Sequence, residues 1–335
     1  MSTTPAARSS RPWQLSGLLG AVGAWSGPPP PAPPTGPYLP DAGPAGVRRL
    51  ALRAGHRAGV VDALVARVED PRPVRDDVLD PLHRAVAGGG EGSGLRRPVT
   101  ARTPVVLGGA PAVQVDETTC GSAVLAVLAV AGDPVLAWWV ATGERLGAGP
   151  APAPAPAPRR GGPEERWREL QRDLKARSTR RGLVLAPWPG RFGTPPWGAA
   201  SVARYADVRY THRVVDRRTG PRVLRSALAA AAAGVPVPLF TGGDLTTGLE
   251  TAVPRHVVLL AAAGPGPDPT TARGGWCTVY EPSSGMLHRL GAGDLVRGAA
   301  AGDGVRRALG GWRHVCWAVL PAGRPGRAGE PHLAG

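Results

Sequence analysis

Cysteine is scarce in this chain: three residues, Cys120, Cys277 and Cys316, none of them near another. An odd count without close pairs excludes a disulfide framework and a zinc ribbon, and no His-Glu-x-x-His pattern takes their place, so neither a metal nor a cofactor is expected. Long apolar runs are missing too. No stretch reaches the about eighteen apolar residues that a membrane-spanning helix needs. The short stretch Leu15 to Trp25, behind Arg8 and Arg11, imitates a signal peptide, but glycines interrupt it and no small-x-small cleavage site follows. With free thiols in addition, the cytoplasm is the expected compartment. Acidic residues are few, 25 against 40 basic ones, which leaves a formal charge of +15 and a pI of about 11.3. A balance of this kind suits phosphate backbones. Here, however, nearly all the positive charge is Arg scattered among Ala, Gly and Pro, with no aromatic-interleaved basic motif, so no nucleic-acid partner is expected.

What the chain does have is enough apolar content, 42%, to bury a core, together with 48 Gly and 39 Pro concentrated in runs. Residues 1–45, with the run Pro28 to Pro34, read as a disordered tail, and residues 323–335 as another. Residues 46–99 read as a small helical element: Val61, Leu64, Val65 and Val68 have helical spacing, Pro71 and Pro73 stop that helix, and a second is expected over Val74 to Ala87. The glycines from Gly88 to Gly94 lack a following Gly-Lys-Ser/Thr, so they read as a linker and not as a phosphate cradle.

The most informative stretch is Gln114 to Val130. Thr118 and Thr119 are good N-cap types, and the run after Gly121 has no charged face, so a buried helix is expected to begin at Cys120. A cysteine at a helix N-terminus meets unpaired N–H groups and the positive end of the macrodipole, both of which favour the reactive thiolate. Gly121 leaves room for a substrate backbone. Gln114 precedes the cysteine by six positions and could aim a carboxamide N–H at a developing oxyanion.

A nucleophile of this type needs a base and the base needs an orienting group. Pro254 to Ala261 reads as a strand entered by His256. Trp276 to Tyr280 reads as the next, followed by Glu281-Pro282-Ser283-Ser284-Gly285 and a returning strand from Met286 to Leu290. A carboxylate at that strand end is placed to accept an imidazole N–H and fix its tautomer. His314 also opens an apolar strand and is the rival base. Cys277 and Cys316 lie in apolar strand-like text and read as small buried hydrophobes.

On these residues the chain resembles the papain-like cysteine peptidases, most closely the bacterial C39-like branch. The resemblance implies an α+β fold in which a central helix carrying the cysteine packs on an antiparallel sheet, over residues 100–322, with an insertion at 147–220. It implies Cys120 as nucleophile, His256 as base, Glu281 as orienting group and Gln114 as oxyanion donor, acting on a peptide or protein substrate. The family's usual third residue is Asp or Asn, and Glu281 departs from it by a methylene, about one bond length. The acceptor in such chemistry is water or, in acyl transfer, an amine. A catalytically silent domain that binds a peptide is the alternative from another class.

Within the expected insertion, the Ala-Pro alternation over residues 147–158 reads as a polyproline spacer, and Glu164 to Arg181 as a surface helix with Trp167, Leu170 and Leu174 on one narrow face. Trp188, Phe192 and Trp197 sit on a proline-stiffened loop, where rigid aromatics suit a substrate cleft as well as they suit core cover. Trp138 and Trp139 read as core. Beyond the insertion, a helix is expected over Val223 to Ala233, a strand over Pro236 to Phe240, a terminal helix over Asp294 to Leu309, and a last strand over Trp312 to Leu320, stopped by Pro321.

Overall fold

The computed structural model describes residues 43–69, 75–84, 102–146, 161–180, 193–216, 220–242, 254–265 and 275–322, together with Pro31 and Tyr38. Its frame is a seven-stranded sheet in which every neighbouring pair is antiparallel. The strands are β1 (Arg102–Pro104), β4 (Arg209–Val214), β5 (Val237–Gly242), β6 (His256–Gly264), β7 (Trp276–Glu281), β8 (Met286–Gly291) and β9 (His314–Ala322). They lie in the order β1, β8, β7, β6, β5, β9, β4, with the short pair β2 (Val106–Leu107) and β3 (Ala110–Pro111) beside them.

The apolar text of β6 is continuous because both faces of the sheet are covered. Val257, Leu259 and Ala261 belong to one core and the intervening Val258 and Leu260 to a second, the period of two that a pleated strand imposes. The first core is built by α1 (Pro44–Arg53), α2 (Ala58–Glu69), α3 (Arg75–Leu79), α4 (Cys120–Gly132), α5 (Pro134–Thr142), α6 (Pro163–Thr179) and α7 (Pro196–Val202). The second lies under α8 (Gly220–Ala232), α9 (Ala292–Arg297) and α10 (Asp303–Ala308). The class is therefore α+β. Among the described residues no single helix is long and apolar enough to cross a membrane.

Several elements differ from the sequence reading, each for a physical reason. The expected terminal helix is broken into α9, a 3-10 turn over Gly298–Ala301, and α10, because Gly298 (φ 66°) and Gly302 (φ 111°) take left-handed backbone. Pro321 does not end β9. Pairing of β9 with β5 stops at Ala318, so Pro321 meets only β4, opposite Tyr210, and its missing N–H costs no ladder bond on the vacant side. Helix α3 ends at Leu79, short of Ala87, and residues 85–87 lie outside the described residues. Trp138 and Trp139 are core residues, 2% and 4% exposed.

The N-terminal helices also share the core of the Cys120 helix. Their anchor is Arg84, buried, which donates to the Tyr205 hydroxyl at 2.7 Å, the Gly234 carbonyl at 3.0 Å and the Ala131 carbonyl at 3.4 Å, and faces Asp80 at 3.5 Å. Residues of the expected insertion are equally integral: α6 packs on α4, and β4 forms one edge of the sheet.

Candidate active site

Helix α4 starts at Cys120, and all its residues except Ala129 are buried. Thr119 occupies the N-cap without a side-chain cap bond. Its hydroxyl instead closes the preceding turn, donating to the Asp116 carbonyl at 2.8 Å and accepting the Asp116 N–H at 2.8 Å. Thr118 donates its N–H (2.7 Å) and hydroxyl (2.6 Å) to the Asp116 carboxylate. Burial would raise the Asp116 pKa, but these donors and the nearby Lys175 ammonium bring it below its ordinary value. The threonines thus shape the loop that delivers the cysteine, a role that capping statistics do not show.

The Gln114 arm of that loop is fixed on both sides. Gln114 donates its backbone N–H to the Pro282 carbonyl at 2.8 Å, which ties it to the Glu281 turn. Helix α6 holds its neighbours: Trp167 Nε1 and Gln171 Nε2 both donate to the Val113 carbonyl, at 2.8 and 3.0 Å, and Gln171 Oε1 accepts the Val115 N–H at 3.2 Å. This helix has the expected narrow buried face of Trp167, Leu170 and Leu174, and with Gln171 buried beside them it also serves as a clamp. Gln114 Nε2 donates to the Asp116 carbonyl at 3.0 Å. Its Oε1 is buried without a partner.

His256 is the first residue of β6, Glu281 the last of β7, and antiparallel pairing of these strands brings the two side chains together. His256 Nε2 lies 2.9 Å from Glu281 Oε1. Cys120 also acts on this imidazole, favouring its charged form. Burial alone would hold the imidazolium down. Hydrogen bonds to Cys120 and Glu281, and the negative charge of both, more than offset it and lift the His256 pKa to about 9. For Glu281, burial would raise the pKa, but hydrogen bonds from His256, Ser283 and Ser284 bring it down to about 2. Its carboxylate is saturated with donors: besides His256, Oε1 takes the Ser283 N–H at 2.9 Å and the Ser283 hydroxyl, and Oε2 takes the Ser284 N–H at 2.9 Å and hydroxyl at 2.7 Å. The turn is built to the length of a glutamate.

Two glycines complete the surroundings. Gly310, with φ 68°, packs so closely on the imidazole that a Cβ there would lie 2.2 Å from His256 Cδ2 and 2.5 Å from Nε2. The turn is pinned one residue earlier, where Thr241 donates its hydroxyl to the Leu309 carbonyl at 3.0 Å. At Gly121 the space expected for a substrate backbone is filled by Thr194, whose Cβ would stand 2.6 Å from an added Cβ; the close approach is to the protein's own loop. Trp197 contacts His212 of β4 edge-on at 6.5 Å, and His212 accepts from Trp317 Nε1 at 3.2 Å. Trp188 and Phe192 lie outside the described residues. The rival base His314 sits beside Gly298, whose added Cβ would be 3.6 Å from its Nδ1. Cys277 and Cys316 are buried, and burial pushes both thiols up to about 12. Among the described residues no cluster of three or more His, Cys, Asp or Glu could hold a metal ion.

Chemically, an imidazole is bonded to a carboxylate, and a thiol at a helix start favours the charged form of that imidazole. No protein-family model matches this chain, nor does any curated protein sequence, so the functional argument rests on geometry and residue chemistry.

Proposed function

We propose that the protein is a cysteine hydrolase of the papain-like, C39-like kind, cleaving a peptide or amide bond through Cys120. The supporting observation is the buried His256–Glu281 pair at 2.9 Å, with Cys120 at a helix start acting on the same imidazole. His256 takes the thiol proton as the sulfur attacks the carbonyl carbon. Gln114 Nε2 and the Cys120 N–H stabilise the oxyanion. The carbon–nitrogen bond then breaks, the imidazolium protonates the leaving amine, and water, deprotonated by His256, hydrolyses the thioester. Glu281 holds the ring orientation throughout and stabilises its charged form. No cofactor takes part in this scheme.

A second reading, a silent domain that binds a peptide, is favoured by one observation: Cys120 is 5% exposed, and Thr194 covers the adjoining Gly121. Iodoacetamide labelling at neutral pH, read by peptide mass spectrometry, separates the two. Hydrolysis requires Cys120 to be alkylated ahead of Cys277 and Cys316, with the preference lost in His256→Ala. Slow, uniform labelling of all three thiols supports the silent domain.

A further inference from the structure

A cavity of about 490 Å³ lies behind the His256–Glu281 pair, lined by Arg102, Glu281, Ser283, Ser284, His288, Asp303, Arg306, Arg307, Gly310 and Gly311. Its construction follows from the fold. Arg102 on edge strand β1 stands directly across the ladder from His288 on β8, the Glu281 turn closes one side, and the last turn of α10 with its following glycines closes the other. Two wall residues, Glu281 and Gly310, touch the imidazole of His256. The cavity therefore abuts the His256–Glu281 pair.

Among the described residues no apolar side chain lines it, which suits a polar occupant. Its charge favours an anion. Three guanidiniums face two carboxylates, and one of these, Glu281, is already satisfied by His256, Ser283 and Ser284. A positive field at the wall is visible at His288, where burial, then Arg102 and Arg307, hold the imidazole below its ordinary pKa against the opposing pull of Glu281. His288 Nε2 is moreover buried without a hydrogen-bond partner. Arg306 donates Nε to the Gly311 carbonyl at 3.2 Å, so the guanidinium is oriented by the turn that seats His256.

We propose that this cavity is a binding site for an oxyanion group, a carboxylate or a phosphate, held by Arg102, Arg306 and Arg307 with the Ser283 and Ser284 turn as floor. The site is distinct from the sulfur and needs no turnover to be observed, so it stands or falls separately from the hydrolase reading.

The test is calorimetric titration of the full chain carrying Cys120→Ser with inorganic phosphate, with acetyl-glutamate amide and with its uncharged counterpart acetyl-glutamine amide. Saturable binding of phosphate alone identifies a phosphate-type ligand; binding of the glutamate compound but not the glutamine one identifies an acidic peptide side chain. Either outcome supports the site, provided Arg307→Gln and Arg102→Gln each weaken binding about tenfold, the loss expected for one charge-assisted contact. Both side chains are exposed, and thermal melts of the variants check that the fold is kept. Absence of saturable binding by either anion, equal binding of the glutamine compound, or unchanged affinity in both variants overturns the proposal.

Discussion

Substituting Gly310 by alanine perturbs the relay without replacing any of its members, and its effect can be worked out from the structure. Two penalties follow. The first is backbone: an L residue held at φ 68° costs about 1–2 kcal/mol of stability. The second is steric. The new Cβ would lie 2.2 Å from His256 Cδ2, about 1.2 Å inside ordinary contact at 3.4 Å, so ring or turn must move by that amount. The ring cannot give freely, because it is buried and Glu281 holds Nε2 at 2.9 Å. A displacement of about 1 Å breaks the Glu281 bond, and misplacement on that scale costs about 100-fold in rate. Gly311 supplies the control: its φ is 86° and an added Cβ meets nothing within 4 Å. Gly311→Ala therefore carries the same backbone strain without the clash. The assay is the second-order rate of Cys120 alkylation at pH 7, with thermal melts of both variants. Gly310→Ala is expected to fall about 100-fold and Gly311→Ala less than threefold, while both melt lower than the parent. Equal rates in the two variants would refute the claim that Gly310 seats the imidazole.

Shortening the third residue is expected to damage the site. Glu281→Asp draws the carboxylate back by about 1.5 Å from a turn whose Ser283 and Ser284 donors fit a glutamate, so amide hydrolysis should drop at least tenfold; parental activity would mean the turn adapts. The pH dependence of stability follows from the two shifted groups. The raised His256 pKa contributes stability in full below 6.5 and loses it as pH rises through about 9, whereas the lowered Glu281 pKa contributes above 4.5 and loses it as pH falls through about 2. The melting difference between parent and Glu281→Gln should therefore be largest between pH 4.5 and 6.5 and shrink on both sides; a flat difference contradicts the coupling. Arg84→Ala removes the buried guanidinium that faces Asp80 and bonds the Tyr205 hydroxyl and the Gly234 carbonyl, and should cost about 3–5 kcal/mol in denaturant unfolding; a loss under about 1 kcal/mol would show that Arg84 is not the anchor of the N-terminal helices.

Much of the site was legible in the sequence because each member has a local signature. Cys120 stands between threonines and an uncharged apolar run, His256 opens a strand, and Glu281 precedes a Pro-Ser-Ser-Gly turn. Their elements begin within two residues of where spacing puts them. What escaped was set by tertiary partners. Gln171 looks like one more polar position on a charged helix, and only the fold shows it satisfying two backbone groups beside Gln114. Strand β4, Arg-Tyr-Thr-His-Arg-Val, has too little apolar alternation to be recognised, since its stability comes from pairing along β9. Gly310 reads as the end of a helix; its purpose is a contact with a side chain 54 positions earlier in the chain.

The account as a whole depends on one proton shared along Cys120, His256 and Glu281. The most direct measurement is an NMR titration of the His256 imidazole in the parent, in Cys120→Ala and in Glu281→Gln. A midpoint near pH 9 in the parent, falling toward or below 6.5 in both variants, is the predicted result. A midpoint near 6.5 that neither variant moves would contradict the relay.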